Sequence, residues 1–313
     1  MAKYKVVVSD QVFPSVEIER ELLSEIEAEL TVASGDIDDV LEIASDADAI
    51  LNTYLPWGPD AIARLENCKI IARYGIGVDN VDLTAAADAG IVVTNVPDYS
   101  VEEVATHALA LILASLRKIV QANEGVRTGG WGIDDFRPIR RLSTLTVGLI
   151  GYGRIARKIA APLEALGAHI ISHDPYLSSG PGLPPLVAVD DLLATADIVS
   201  LHVPLTDETR GLIGEPELAQ MKDGAILINT SRGPLIDLDA LGMALANGKL
   251  AAAGLDVFDV EPLDPARIEG IPNLIATPHM AYYSEEALGE SQRKAATQVV
   301  KVLTGEQPDY QVN

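Results

Sequence analysis

The chain has 313 residues, 48% of them apolar but only 4% aromatic, which is long enough for two ordinary domains and too apolar for intrinsic disorder. Its formal charge of −23, from 46 acidic against 23 basic residues, argues against nucleic-acid or anionic-membrane partners, whose binding rests on Lys and Arg. No apolar run reaches the roughly 18–20 residues of a membrane span, and the single Cys68 offers neither an internal disulfide nor a metal cluster. Met1-Ala2-Lys3-Tyr4-Lys5 leads straight into Val6-Val7-Val8 without a secretion signal, so a cytoplasmic, metal-free protein is the expectation. The acidic surplus fits plain solubility or adaptation to high salt.

Short buried strands are predicted at Lys5–Val8, Ala49–Leu51, Lys69–Ala72 and Gly90–Val93. Between the first two, Ile18, Leu22, Ile26 and Leu30 recur four apart, predicting an amphipathic helix over 16–30 with Ser15 as a cap slightly upstream. Ser100-Val101-Glu102-Glu103 reads as a capping box opening a helix that runs to Val120 and is apolar nearly all round. From residue 145 strands and helices alternate regularly. Strands are predicted at Thr146–Ile150, His169–His173, Ile198–His202, Ala225–Asn229, Ala251–Asp256 and Leu274–Thr277, with a last helix from Ser284 to Leu303. Continuous apolar strands joined by helical crossovers make a doubly wound parallel α/β sheet.

The first of these later strands runs into Gly151-Tyr152-Gly153-Arg154-Ile155-Ala156, which fits a dinucleotide phosphate turn. Gly151 permits the tight turn, Gly153 lets backbone approach a pyrophosphate, and Ala156 keeps helix and strand close, with the helix N-terminus facing the anion. Asp174 ends the next strand, where a carboxylate accepts the ribose hydroxyls of NAD and repels the extra phosphate of NADP. Pro162 falls inside the helix that follows and is expected to remove one hydrogen bond and kink it.

Hydride transfer to an oxo acid needs a cation for the carboxylate and carbonyl, an acid/base for the hydroxyl proton, and a group that poises that acid/base. Arg232, Glu261 and His279 stand at or beyond the ends of the last strands, where open α/β sheets bind ligands. Taken singly, each is more often a surface arginine, a solvated acid or a structural histidine. A guanidinium grips a carboxylate through paired hydrogen bonds, and a carboxylate beside an imidazole favours its proton-donating form.

Taken together, Asn229-Thr230-Ser231-Arg232-Gly233, Gly254-Leu255-Asp256-Val257-Phe258 with Glu261-Pro262, and Thr277-Pro278-His279 resemble three signatures of the D-isomer-specific 2-hydroxyacid dehydrogenases. Gly75-Ile76-Gly77-Val78-Asp79 resembles the family's substrate-domain turn, and Asn95-Val96-Pro97 with Ser100–Ala105 the entry to its long linking helix. The resemblance covers essentially the whole chain. It implies two Rossmann-like domains: an NAD-binding domain over 100–285, and a smaller, discontinuous, flavodoxin-like substrate domain over 1–99 and 286–313. It also implies an NAD-dependent enzyme acting on a small 2-oxo or 2-hydroxy acid, and a homodimer joined through the linking helix. Arg232 then binds substrate carboxylate and carbonyl, His279 is the proton donor, and Glu261 pairs with it. Thr230, Ser231 and Asp256 fall to the cofactor, Asp256 at the nicotinamide carboxamide. Tyr152, Arg154 and Ile155 lie with the glycines at the pyrophosphate, and Val203 and Pro204 at adenine. Ile76 and Gly77 offer backbone N–H groups to the substrate.

Met280-Ala281-Tyr282-Tyr283 resembles the stretch after the histidine in C-terminal-binding corepressors and their bacterial relatives, with Tyr282 as a substrate-side aromatic, and Arg73 matches an arginine that faces substrate there. The alternative for Arg73 is a surface charge. The last residue, Asn313, precedes the point where the regulatory domain of many phosphoglycerate dehydrogenases follows, which lowers the expectation of that substrate. An NAD-sensing binding protein is the opposing class; the intact Arg232, Glu261 and His279 set favours an enzyme, since a sensor needs the cofactor groups alone. A formate-type pocket lined by Tyr54, Trp57, Tyr99 and Tyr282 is a third reading.

Overall fold

The computed structural model describes residues 2–313, which divide into two compact units, residues 2–100 with 284–313 and residues 101–283.

The N-terminal unit alternates strand and helix: β1 (Tyr4–Val8), α1 (Glu17–Ser24), β2 (Ala28–Val32), α2 (Ile37–Ala44), β3 (Ala49–Asn52), α3 (Pro59–Ile62), β4 (Ile70–Arg73), α4 (Leu83–Asp88) and β5 (Val92–Thr94). All pairings are parallel and the order is β2-β1-β3-β4-β5, a flavodoxin-like sheet. Val7, Ile50, Ile71 and Val93 point into a core shared with Val40, Leu41, Trp57 and Ile62. The expected helix over 16–30 is cut short. After Ser24 the amides of Glu25, Ile26 and Glu27 close tight turns onto Leu22, Leu23 and Ser24, and Glu27 goes left-handed at φ 58°. The chain then turns into β2, where Leu30 is the buried position. The four-residue spacing of Ile26 and Leu30 also suits alternate strand positions, and Thr31 and Val32 favour strand. Ser15 does accept from the Glu17 amide at 3.0 Å.

The second unit starts with α5 (Val101–Arg117) and α6 (Ile119–Arg127), broken by Lys118 at φ 52°, so the long helix expected to Val120 ends three residues early. The expected capping box is not made: the buried Ser100 hydroxyl has no hydrogen-bond partner. There follow β6 (Thr146–Ile150), α7 (Arg154–Ala165), β7 (His169–His173), α8 (Val189–Thr195), β8 (Ile198–Leu201), α9 (Glu215–Gln220), β9 (Ala225–Asn229), α10 (Leu238–Ala246), β10 (Leu250–Leu255) and β11 (Leu274–Ala276). The order β11-β10-β9-β8-β6-β7, all parallel, reverses direction between β6 and β8. A lone parallel bridge from Ser172 to Leu186 leaves a vestigial strand beyond β7. Helices α5 and α7 cover one face of this sheet, and α8, α9 and α10 cover the other. Pro162 sits in the last turn of α7, where the helix is about to end, and its carbonyl still accepts from Leu166.

The chain closes with α11 (Glu285–Thr304), which belongs to the first unit and packs on α1, β3 and β4. Ser284 caps it through Ala287 N–H at 2.9 Å, and Gly305, left-handed at φ 86°, ends it.

Candidate active site

The direction reversal between β6 and β8 opens the crevice in which a doubly wound sheet binds ligands. Gly151 sits there at φ +85°, its amide donating to His173 C=O at 2.8 Å. A Cβ on it would lie 2.5 Å from the His202 carbonyl oxygen, so the ends of β6, β7 and β8 meet only because residue 151 is glycine. Gly153 caps α7, with open space where its Cβ would stand. Ala156, fully buried, holds α7 down on the sheet.

Asp174 is fastened to this turn. Its Oδ2 accepts from the Tyr152 amide and its Oδ1 from the Tyr176 amide, each at 3.0 Å. Arg154 is exposed, Ile155 half-buried, Val203 half-buried and Pro204 exposed. At the same sheet edge two buried polar atoms, His202 Nε2 and Thr230 Oγ1, have no hydrogen-bond partner. Burial pushes the His202 imidazole down to about 4, which leaves it neutral at physiological pH. Orphaned polar atoms are costly unless a ligand satisfies them. A glycine cradle, an open helix N-terminus, a fixed carboxylate and these two atoms fit NAD. Ser231 Oγ, expected at the cofactor, donates to Leu201 C=O at 2.8 Å and so ties the loop after β9 to β8.

The catalytic candidates are placed by three loops at the same edge. Asn229, the last residue of β9 and fully buried, accepts from Ser231 N–H at 2.9 Å and donates to the Arg232 carbonyl at 2.8 Å, clamping the turn that carries Arg232. Arg232 Nη1 donates to Ser231 C=O at 2.9 Å. A Cβ on Gly233 would lie 1.8 Å from the Phe258 carbonyl carbon, so the arginine turn rides directly on the Phe258 backbone. Phe258 N–H in turn donates to Glu261 Oε1 at 2.8 Å. The other Glu261 oxygen, Oε2, meets His279 Nδ1 at 2.6 Å. Burial raises the Glu261 carboxyl. The bonds from His279 and Phe258, with the charges of His279 and Arg232, outweigh it and hold the group below the ordinary carboxylate range. Tyr282 stands edge-on to the His279 ring at 6.2 Å between centroids.

His279 has φ 50°, a left-handed conformation that costs a non-glycine residue about 1–2 kcal/mol. The surrounding bonds offset that cost: its amide donates to the Asp256 carbonyl at 2.7 Å, and Asp256 Oδ1 and Oδ2 accept from Met280 and Ala281 N–H at 3.0 and 2.8 Å. Asp256 is fully buried, so the bonds it makes here fix the His279 segment. His107 on α5, which no motif in the sequence singles out, stands beside this network, with Nε2 3.0 Å from Thr277 Oγ1.

In the N-terminal unit Arg73, at the end of β4, is buried at 7% exposure and donates from Nε to Asn80 Oδ1 at 2.6 Å, which rules out the surface-charge alternative. Gly75 leaves room for its guanidinium, since a Cβ there would lie 2.1 Å from Arg73 Nη1. Ile76 C=O accepts from Asn95 Nδ2 at 2.7 Å, holding the Ile76–Gly77 turn. Trp57 does not line a pocket: it is fully buried in the core and its Nε1 donates to Asn52 at 3.2 Å. A ring that large and apolar is worth more inside than at a small polar site.

Residues 109–281 match the family model described as the D-isomer specific 2-hydroxyacid dehydrogenase, NAD binding domain. The chain is 38% identical to the D-3-phosphoglycerate dehydrogenase of Methanocaldococcus jannaschii over 99% of its own length, but spans only 59% of that relative. It is 37% identical to the hydroxypyruvate reductase of Thermotoga maritima, over 97% of this chain and 98% of the other. Among solved structures, the D-lactate dehydrogenase of Aquifex aeolicus, complexed with NAD and lactic acid, superposes with a TM-score of 0.89 at 29% identity over 96% of each chain. The crystal structure of TT0316 from Thermus thermophilus matches at 0.89 and 34% identity, over 99% of this chain and all of that one. This chain therefore belongs to the D-isomer-specific 2-hydroxyacid dehydrogenase family, and its second unit carries the family's NAD-binding domain.

Proposed function

We propose that the chain is an NAD-dependent dehydrogenase that interconverts a small 2-oxo acid and its D-2-hydroxy acid in the cytoplasm. The observation that carries this reading is the 2.6 Å contact of His279 with Glu261, beside the clamped Arg232 turn. A pure NAD sensor has no need of it. NAD, when bound, supplies or accepts the hydride at its nicotinamide ring. The chain's own residues do the rest. Arg232 pairs with the substrate carboxylate and draws charge from the carbonyl oxygen. His279, with Nδ1 on Glu261, presents Nε2 as the acid that protonates that oxygen on reduction and as the base in reverse. Glu261 stabilises the imidazolium and fixes which nitrogen faces the substrate.

Gly151, Gly153, Arg154, Ile155 and Tyr152 are assigned to the pyrophosphate, Asp174 to the ribose, Val203 and Pro204 to adenine, and Thr230, Ser231 and Asp256 to the nicotinamide side. Arg73, Ile76 and Gly77 are the proposed substrate groups of the N-terminal unit, with Tyr282 beside His279. Hydroxypyruvate and glyoxylate are the first substrates to test, because the hydroxypyruvate reductase relative matches over nearly its whole length. We also assign the chain to homodimers, supported by α6, none of whose residues is buried and whose Ile119, Val120 and Val126 are all exposed.

The test is NADH oxidation by the purified full chain with glyoxylate, hydroxypyruvate, pyruvate and longer 2-oxo acids. Turnover with at least one, stopped by His279→Ala, supports the reading. Firm NADH binding with no turnover on any of them overturns it in favour of a sensor.

A further inference from the structure

Behind the His279 segment runs a polar chain of His107, Thr277 and Asp256, of which only Asp256 is among the groups assigned above to the cofactor. Thr277 Oγ1 lies 2.6 Å from Asp256 Oδ1, and an ionised carboxylate only accepts, so the single hydroxyl proton of Thr277 points to Asp256. The oxygen of Thr277 is then left as an acceptor for its other neighbour, His107 Nε2 at 3.0 Å. His107 must therefore carry its hydrogen on Nε2. That ring sits on α5, with its side chain only 20% exposed, and Nε2 is also 3.6 Å from Asp256 Oδ1. Asp256 is the hub. Through its backbone and carboxylate it binds the amides of His279, Met280 and Ala281, and the Thr277 amide is anchored one residue earlier, on Leu255 C=O at 2.9 Å. Every one of these groups belongs to the second unit.

We propose that His107 and Thr277 are positioning residues for the reaction: the chain from His107 Nε2–H through Thr277 O–H to Asp256 holds residues 277–281 in the conformation that keeps His279 left-handed and its ring on Glu261. The inference rests on the proposed role of His279 as proton donor. It follows from the geometry that three hydrogen bonds, one buried and two part-buried, converge on one fully buried carboxylate whose backbone partner is the strained residue itself. A loop released from that hub relaxes toward ordinary φ and carries the imidazole off Glu261. The damage falls on the proton-transfer step, so it is a loss of kcat with the binding constants largely kept.

The experiment compares Thr277→Val and His107→Leu, which break the chain, with Thr277→Ser and His107→Gln, which keep a hydroxyl and an N–H donor in place. Full-length variants are measured for kcat, for oxo-acid KM, for NADH affinity by fluorescence titration and for thermal midpoint. The expected result is a loss of about tenfold or more in kcat for each breaking variant, on the scale of a displaced acid/base. KM and NADH affinity move less than about threefold, the Ser and Gln variants recover most of kcat, and the double breaking variant is no slower than Thr277→Val alone because both cut one chain. The inference is overturned if both breaking variants keep kcat within about twofold of the unmodified enzyme, or if kcat, NADH affinity and thermal midpoint fall together and neither Ser nor Gln restores them. Should Thr277→Val fail to fold, His107→Leu with its Gln counterpart decides alone. A His279→Ala variant run alongside separates the two readings: full turnover there removes the proton donor itself, whereas its inactivity beside fully active His107 and Thr277 variants removes only the positioning chain.

Discussion

The charge pair at Glu261 and His279 makes a definite statement about pH. Glu261 is held below the ordinary carboxylate range, so it stays ionised through mildly acidic conditions, and the stability it contributes is present above its unfolded value of about 4.3 and is lost as pH falls through the lower folded value. Acid inactivation above about pH 4 is then not a Glu261 event. Replacing it by glutamine keeps an acceptor for His279 Nδ1–H and removes the charge. We expect Glu261→Gln to lower kcat for oxo-acid reduction by about 10–100-fold. A Glu261→Gln variant that keeps kcat within about twofold in steady-state oxo-acid reduction would show that the pair is structural. The lone thiol makes the opposite kind of statement: burial pushes Cys68 up to about 12. A native sample at pH 8 should resist a thiol reagent that labels the same protein fully in denaturant, and fast labelling without denaturant would contradict its buried place beside Ile70.

At the level of elements, the loops carrying the candidate site are joined by contacts too close for side chains. Gly233→Ala would drive a Cβ into the Phe258 carbonyl, displacing the Arg232 turn and the Glu261 loop together. A loss of about 2–4 kcal/mol in unfolding free energy is expected, with a fall in kcat/KM larger than the fall in stability accounts for. Urea unfolding and steady-state kinetics on one preparation check both. Asp197, 6% exposed at the start of β8, accepts from Thr146 N–H at 2.8 Å and pairs with Lys222 and Arg140. Burial raises its carboxyl, but these three partners outweigh it and the group is lowered, so its contribution is present above the unfolded value and fades as pH falls through the folded one. Asp197→Asn should therefore cost more stability at pH 7 than at pH 3, read from thermal midpoints.

Much of this second unit was legible in the sequence. Continuous apolar runs bounded by turns located β6 and β9 to the residue, because a parallel strand buried on both faces leaves no other pattern, and the edge strand β7, buried at Ile170 and Ser172 alone, was located as well from the same alternation of strand and helix. What escaped was set by local geometry. Glu27 and Lys118 end their helices in left-handed turns without the glycine that would announce them. The Ser100 cap has the right spacing and is not made. His107 has a role only because Thr277 and Asp256, far along the chain, fold onto its side of α5.

For the whole molecule, the excess of acid over base and the exposed apolar residues act against each other. Ile119, Val120 and Val126 on α6 are joined in the following loop by Trp131 at 93% and Ile133 at 67% exposure. These exposed large apolar side chains are the basis of the homodimer proposed above. A second copy of the same surface is the partner proposed. Each copy carries a formal charge of −23, so two copies repel one another over a range set by the Debye length, about 10 Å at 0.1 M salt and about 3 Å at 1 M. Apolar burial at the contact is indifferent to that screening or strengthened by it. The two effects give the proposed dimer a definite sign of salt dependence: association should tighten as salt rises, the reverse of an interface built on ion pairs. Sedimentation equilibrium at about 0.05, 0.2 and 1 M sodium chloride, which spans screening lengths of roughly 14 to 3 Å, reads that sign directly. Val126→Glu, which puts a charge into the patch on an otherwise exposed helix, should yield a folded monomer with its thermal midpoint changed mainly by the loss of association. A wild-type chain that is monomeric at every salt concentration, or a dimer untouched by Val126→Glu and Trp131→Glu, would move the contact away from α6.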